Sequence, residues 1–166
     1  MTMALPTVSA AQPLDLAAVR EMLSEYAAWL GSVSASAATG FKPVPAEFAR
    51  EVQDLPGEYE PPAGALLIAR IEGNPAGMVG LRRVDNDRCE MKRLYVRPGA
   101  RGAGVGRLLA ERVIAEARAR GYSEMLLDSL PVMQGAQRLY VALGFRDIQP
   151  YYESPPPRMR FMGLRL

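Results

Sequence analysis

The residues best suited to hold a charged ligand form one glycine-rich segment, Arg97-Pro-Gly-Ala-Arg-Gly-Ala-Gly-Val-Gly-Arg107. Its alternating glycines keep side chains out of a turn, so that backbone N–H groups can converge on a ligand. A helix predicted to begin at Gly104 adds unpaired N–H donors and the positive end of its dipole. Arg97, Arg101 and Arg107 add full positive charges. The segment therefore predicts a site for a phosphate or a pyrophosphate.

Two common nucleotide-binding motifs do not fit this segment. A Walker loop needs Gly-Lys-Ser/Thr, which the sequence lacks. The dinucleotide fingerprint G-x-G-x-x-G, counted from Gly102, would require a glycine where Arg107 stands. A glycine-rich turn with a purely structural role remains as the alternative.

The residue types that are missing exclude several kinds of chemistry. The chain has no histidine and a single cysteine, Cys89. A Ser-His-Asp triad, a Cys-His pair, a His-ligated metal and a disulfide framework are therefore excluded. An acyl-cysteine intermediate on Cys89 is not expected, because no partner base lies near it in the sequence.

Length and composition indicate a single globular domain. The chain has 166 residues, of which 49% are hydrophobic and 23% charged, with a net charge of +2. Residues 1–60 carry eight acidic and three basic side chains, whereas residues 88–120 carry nine basic and three acidic ones. Residues 1–11 lack the features of a signal peptide, so we expect a cytoplasmic protein. A net charge of +2 is too small to argue for a nucleic-acid partner, and the longest apolar runs are too short for a transmembrane helix, so neither a nucleic acid nor a membrane is expected as partner.

Periodicity and turn residues place the glycine-rich segment between a strand and a helix. Helices are predicted over residues 15–30, 45–55, 104–120 and 135–143, with Gly31 ending the first and residues 32–45 forming a loop. Strands are predicted over residues 5–10, 65–71, 78–84, 90–96, 125–130, 145–152 and 159–166. The order is βααβββαβαββ. The strands that flank the third helix should be parallel neighbours in an otherwise antiparallel sheet.

Three sequence features together resemble the GNAT superfamily of N-acetyltransferases. Arg101-Gly-Ala-Gly-Val-Gly106 matches the family signature Gln/Arg-x-x-Gly-x-Gly/Ala. Residues 90–96, Glu-Met-Lys-Arg-Leu-Tyr-Val, resemble the central strand of the family. Ala136-Gln-Arg-Leu-Tyr-Val-Ala-Leu-Gly-Phe145 is similar to the later motif Ala-x-x-Leu-Tyr-x-x-x-Gly-Phe. The predicted order of elements fits the family as well.

This resemblance implies the fold and the cosubstrate. The fold is α/β (α+β), with a mixed, mostly antiparallel sheet of six to seven strands, a central parallel pair splayed apart and helices on both faces. A single acetyltransferase domain would span residues 1–166, with acetyl-CoA as cosubstrate and no metal. The implied cofactor contacts are Leu94, Tyr95 and Val96 on the central strand and Arg101, Gly102, Ala103, Gly104, Val105, Gly106 and Arg107 on the turn.

The resemblance also implies two catalytic side chains. Tyr140 matches the family tyrosine near the sulfur and is predicted to be the general acid; packing beside Leu139 and Phe145 is the alternative. Glu90 matches the glutamate that serves as general base in some members. Because Glu90 and Lys92 share one face of a strand, an ion pair that lowers the pKa of Glu90 is the alternative.

One position departs from the family pattern. Family members often carry an asparagine that contacts pantetheine three residues before the alanine of the later motif, and here that residue is Met133. The neighbouring Gln134 is a candidate substitute in a different register. The developing oxyanion would be bound by the backbone N–H of Val96 or Leu94.

The leading hypothesis is an acyltransferase that moves an acetyl group from acetyl-CoA to a primary amine by direct attack in a ternary complex. The acceptor would be a small molecule or a peptide amine, and the acidic N-terminal third would favour a cationic one. The alternatives are a non-catalytic acyl-CoA-binding or sensor protein with the same fold, and a nucleic-acid binder that uses the basic segment. The oligomeric state is open, with a homodimer as one possibility.

Overall fold

The chain folds around one seven-stranded sheet. The computed structural model describes residues 4–36 and 45–166. The strands are β1 (Thr7–Ala10), β2 (Ala65–Ile71), β3 (Asn74–Arg83), β4 (Arg88–Val96), β5 (Glu124–Ser129), β6 (Arg146–Asp147) and β7 (Arg160–Arg165). The helices are α1 (Leu16–Ser36), α2 (Pro45–Asp54), α3 (Val105–Ala119) and α4 (Gln134–Ala142).

The sheet order is β1-β2-β3-β4-β5-β7-β6. All neighbouring strands are antiparallel except β4 and β5, which are parallel and connected through α3. This arrangement confirms the predicted order of elements, the mixed sheet and the central parallel pair.

The sheet is covered on both faces, as residue alternation along β2 illustrates. Leu67 packs into the core beneath α3 and α4, whereas Leu66 and Ile68 pack into the core beneath α1 and α2. Successive side chains of a strand point to opposite faces, so a continuous apolar run marks a strand buried on both sides. The expected helices on both faces are therefore confirmed.

The first helix is longer than predicted. It continues through Gly31 to Ser36, so the predicted end at Gly31 is wrong. A glycine inside a helix costs about 1 kcal/mol relative to alanine, which does not stop a helix whose other residues favour it. Part of the loop predicted over residues 32–45 is therefore helical, and residues 37–44 lie outside the described part of the chain.

The strand predicted over residues 145–152 is much shorter than expected. Only Arg146 and Asp147 pair with β7. Pro150 has no N–H to donate to a strand neighbour, and the chain then bends through Tyr151 and Tyr152. As a result, these two tyrosines lie over the sheet instead of extending it.

Ion pairs join the N-terminal third to the arginines of the sheet. Acidic side chains that precede β2 face guanidinium groups carried by β2, β3 and β4 or the turn after β4. The pairs are Asp15 with Arg70, Glu21 and Glu25 with Arg97, Glu51 with Arg93, and Glu58 with Arg82. Most of the negative charge counted in this third of the sequence is therefore neutralised within the fold.

No helix among residues 4–36 and 45–166 is long and apolar enough to cross a bilayer. The cytoplasmic location and the single domain over residues 1–166 stay predictions of the sequence.

Gly80 on β3 permits a close approach between the sheet and the segment that follows α2. A Cβ at this position would lie 2.5 Å from Cε1 of Tyr59, whose ring is only 3% exposed. The Tyr59 hydroxyl donates a hydrogen bond to Glu51 on α2. The missing side chain therefore lets Tyr59 tie α2 to the sheet.

We expect Gly80→Ala to lower the free energy of unfolding by about 1–3 kcal/mol, because the added methyl group forces the buried ring to move. The matched control is Gly31→Ala, since a Cβ there has no neighbour within 4 Å. A gain of about 0.5–1 kcal/mol is expected for this control, as for other glycines inside helices. Urea unfolding of both variants checks the prediction, and a Gly80→Ala protein as stable as the parent would contradict it.

Candidate active site

The site begins where the two central strands separate. The β4–β5 pairing includes Arg88 with Glu124, Cys89 with Met125 and Glu90 with Leu126, and it stops there. Both strands continue beyond this point, β4 to Val96 and β5 to Ser129. The edge of β4 that faces β5 is therefore open over its last residues.

A β-bulge lies within the open part of β4. Met78 pairs with Tyr95 and Gly80 pairs with Lys92, so a single residue of β3 faces Arg93 and Leu94. Arg93 has a φ of +59°, which is uncommon for a residue with a side chain. Bulges increase the local twist of a strand and redirect its side chains, so this one contributes to the separation of β4 from β5.

The glycine-rich turn after β4 has the conformation that its sequence predicts. Gly102 and Gly104 have φ values of +83° and +79°, and a Cβ on either would extend into open space. The first helical hydrogen bond runs from the N–H of Leu108 to the carbonyl of Gly104, at 3.0 Å. Within the described residues, the backbone N–H groups from Gly102 to Arg107 have no backbone acceptor. They are free to bind an anion.

A cavity of about 600 Å³ extends from this turn along the open edge of β4. Among the predicted cofactor-binding residues, Ala103 and Arg107 do not line this cavity. The others do: Leu94, Tyr95, Val96, Arg101, Gly102, Gly104, Val105 and Gly106. The geometry thus brings the predicted strand and turn residues to one concave surface.

The three arginines of the segment differ in what they contact. Arg97 is held by Glu21 and Glu25, each 2.9 Å from its guanidinium, so its charge is not available to a ligand of the turn. Arg107 is exposed and pairs with Glu111 one helical turn later. Arg101 donates to the carbonyl of Val96 and lines the cavity. The positive charge at the turn therefore rests mainly on Arg101 and on the helix terminus.

The far wall of the cavity was not predicted from the sequence. Tyr26 and Trp29 of α1 line it, with ring centroids 6.1 Å apart, and Met133 lies opposite. Residues three apart lie side by side on one face of a helix, so the sequence could have predicted that these two rings are neighbours. Which surface they cover depends on how α1 docks on the sheet, which spacing does not reveal.

Tyr140 lies in α4 and is buried, with its ring 5.7 Å from that of Phe145. Its hydroxyl has no hydrogen-bond partner among the described side chains and backbone groups. Burial raises the pKa of Tyr140 well above its usual value, and the nearby Tyr26 and Asp128 add to the effect. The residue therefore keeps its proton at any pH in the working range.

Glu90 is 1% exposed and is held on both sides. Its Oε1 accepts from Nε of Arg82 at 2.7 Å, and its Oε2 accepts a hydrogen bond from the Tyr151 hydroxyl. The ion pair expected with Lys92 is wrong, because Arg82 lies directly opposite Glu90 on β3 and Lys92 faces Asp128 instead. The base role of Glu90 stays a prediction.

A smaller cavity of about 190 Å³ adjoins the first one. The two cavities share Tyr26 and Met133 as walls. The smaller cavity lies between α1, α2 and the sheet, and its charged lining residues are Glu47, Lys92, Arg93 and Asp128. A molecule bound there would face the contents of the larger cavity.

Comparison with known protein families gives one clear match. The sequence model described as the acetyltransferase (GNAT) family matches residues 23–145. An uncharacterized N-acetyltransferase of Schizosaccharomyces pombe is 42% identical over 111 residues, which cover 66% of this chain and 68% of that protein. The N-acetylaspartate synthetase of Danio rerio is 32% identical over 100 residues, which cover 59% of this chain but only 36% of that protein.

Solved structures agree on the architecture. An acetyltransferase from Streptococcus agalactiae matches 97% of this chain and 98% of its own, with a TM-score of 0.77 at 22% identity. The yncA protein of Salmonella typhimurium, solved with its cofactor acetyl-CoA, matches 96% of this chain and 93% of its own, with a TM-score of 0.67 at 23% identity. At these identities the similarity establishes the fold.

The contacts of Glu90 lead to a prediction about stability. Glu90→Gln removes the charge that faces Arg82 and weakens the hydrogen bond from Tyr151, so we expect the free energy of unfolding to fall by about 1–3 kcal/mol. The matched control is Glu111→Gln on the exposed surface of α3, which should change it by less than about 0.5 kcal/mol. Urea denaturation measures both, and equal effects of the two substitutions would contradict the prediction.

Proposed function

The chain belongs to the GNAT family of acetyl-CoA-dependent acyltransferases, and on this premise we propose that it acetylates a primary amine by direct attack on acetyl-CoA. The observation that carries the proposal is the cavity at the open edge of β4, with free N–H donors at one end. A main-chain edge and an anion-binding turn in one cavity suit a ligand with an extended amide-containing arm and a diphosphate.

The proposed cofactor position follows the free backbone groups. The diphosphate would sit on the turn from Arg101 to Gly106, where the N–H groups of residues 102–106 lack backbone acceptors. The pantetheine arm would pair with the backbone of Leu94, Tyr95 and Val96 as an added strand. Ala103 and Arg107 belong to this proposal as flanking residues, because they do not line the cavity.

The proposed reaction forms one bond and breaks one. The neutral amine attacks the thioester carbonyl carbon, the C–N bond forms, and the C–S bond breaks to release coenzyme A. The backbone N–H of Val96 or Leu94 would bind the developing oxyanion. After attack the nitrogen gives one proton to solvent water, and the departing thiolate takes one from Tyr140, whose raised pKa keeps the hydroxyl protonated until that point. Tyr140 then regains a proton from solvent, so that the net proton count of the protein is unchanged.

Direct attack is favoured over an acyl-enzyme. Cys89 is fully buried, and burial raises the pKa of its thiol to about 12. A thiol that stays protonated is a poor nucleophile. Cys89 also lines neither of the two cavities.

The acceptor belongs to the smaller cavity in this proposal. The cationic acceptor suggested by the acidic N-terminal third loses its support, because most of those acidic groups pair with arginines of the sheet. N-Acetylaspartate synthetases are among the relatives, so a small amine of the amino acid type has a precedent there. This chain spans only about a third of those relatives.

Acetyl-CoA should raise the melting temperature of the protein by mass action, and we expect Gly104→Val to abolish the increase. A side chain at this position enters the open space that the diphosphate needs, and the φ of +79° disfavours valine. The matched control is Gly121→Val, which has a φ of +81° and lies beyond the far end of α3. Thermal unfolding with and without millimolar acetyl-CoA measures this, and a normal increase in Gly104→Val would argue against the proposed turn.

Tyr140→Phe should lower kcat by at least about 10-fold, while the Kd of acetyl-CoA changes little. Tyr122→Phe is the control, since the Tyr122 hydroxyl donates to the carbonyl of Ala63 and Tyr122 lines neither cavity. Because the pKa of Tyr140 is raised, kcat of the parent should show no fall between pH 8 and 10 from loss of the tyrosine proton. Thiol release measured across this range checks both points, and full activity of Tyr140→Phe would remove the acid assignment.

A further inference from the structure

The smaller cavity has about a third of the volume of the larger one, about 190 Å³ against about 600 Å³. Tyr26, Phe48 and Leu30 form apolar walls, so the cavity suits a small molecule with a short apolar or polar side chain. A ligand in this cavity reaches the cofactor cavity past Tyr26 and Met133.

Two opposite charges in this cavity have unused bonding capacity. The Nζ of Lys92 lies 3.7 Å from Oδ1 of Asp128, which is longer than a hydrogen bond. Both side chains are largely buried, with exposed fractions of 15% and 17%. Oδ2 of Asp128 accepts from the Tyr152 hydroxyl at 2.7 Å, while Oδ1 receives no hydrogen bond from the described residues. Buried charges are normally hydrogen-bonded, so Lys92 Nζ and Oδ1 of Asp128 could each accommodate a further partner.

The other charged groups of the cavity are already engaged or exposed. Arg93 binds both carboxylate oxygens of Glu51, at 2.8–3.2 Å, and lies over the ring of Phe48. Glu47 stands on the exposed rim. Lys92 and Asp128 are therefore the charges that a ligand inside the cavity would meet.

We propose that Lys92 and Asp128 bind the carboxylate and the amino group of an α-amino acid, which is the acceptor of the acetyl group. The inference rests on the proposed acetyltransfer and specifies its substrate class. In an α-amino acid the two groups are attached to one carbon, so a single molecule can satisfy both partners of a stretched ion pair. A diamine would instead place a second positive charge beside Lys92.

The position of Asp128 fits this orientation. Asp128 lines the smaller cavity together with Tyr26 and Met133, the two residues that also line the larger cavity. Its carboxylate is also within electrostatic range of Tyr140, the proposed general acid, and Asp128 would hold the amino group in this proposal. Lys92 would hold the carboxylate, and the apolar walls would contact the side chain of the amino acid.

The test compares amino acids with their α-carboxamides as acceptors, using thiol release at saturating acetyl-CoA. We expect at least one amino acid to react, with kcat/KM at least about 10-fold higher than its amide. Lys92→Gln should raise KM for that amino acid about 10-fold or more and leave KM for the amide and the Kd of acetyl-CoA unchanged. The matched control is Arg112→Gln, an exposed charge on α3.

The outcomes separate this inference from the acetyltransfer on which it rests. The inference is overturned if the acid and its amide react at equal rates, or if the only amines that react are those that lack a carboxylate. Either result leaves acetyltransfer intact. If no amine releases thiol, acetyltransfer fails, and calorimetry of the same acid–amide pairs with the coenzyme A-bound parent protein decides the inference. Preferential binding of the acid then supports it, and equal or absent binding overturns it.

Discussion

The loss of hydrogen bonding between β4 and β5 after Glu90 and Leu126 is the feature on which the rest of the structure depends. Unpaired backbone groups inside a protein cost free energy unless a partner satisfies them. Here they line a cavity that ends at the free N–H groups of the glycine-rich turn. The smaller cavity also lies beside these strands, with Lys92 and Asp128 in its lining, so the two proposed binding surfaces adjoin the same break in the sheet.

The layer of α1 and α2 is held over this opening by charge as well as by apolar contact. Glu51 of α2 is one of these charges, because it receives hydrogen bonds from Arg93 at the bulge and from Tyr59. Arg93 thus links the irregular part of β4 to α2. Because Arg93 is already engaged and lies beside Phe48, Lys92 is the cation available to a ligand of the smaller cavity. The positive φ of Arg93, the docking of α2 and the proposed acceptor contact at Lys92 therefore fall on neighbouring residues of β4.

The fold, the parallel pair and the backbone conformation of the glycine-rich turn could be predicted from the sequence, because each depends on local spacing of glycine, proline and apolar residues. The partners of Glu90 were missed for a physical reason. Arg82 reaches it through the register of the β3–β4 hairpin, and Tyr151 reaches it from a bend far along the chain. The wall formed by Tyr26 depends in the same way on long-range docking. Contacts across such distances are set by packing, which a periodic pattern does not encode.

A crystal structure of the protein with coenzyme A tests the central claim most directly. The account predicts the diphosphate within hydrogen-bonding distance of the backbone N–H groups between residues 102 and 107, and the pantetheine arm paired with the backbone of residues 94–96. Coenzyme A bound elsewhere, or a turn that stays vacant while β4 and β5 close together, would contradict it.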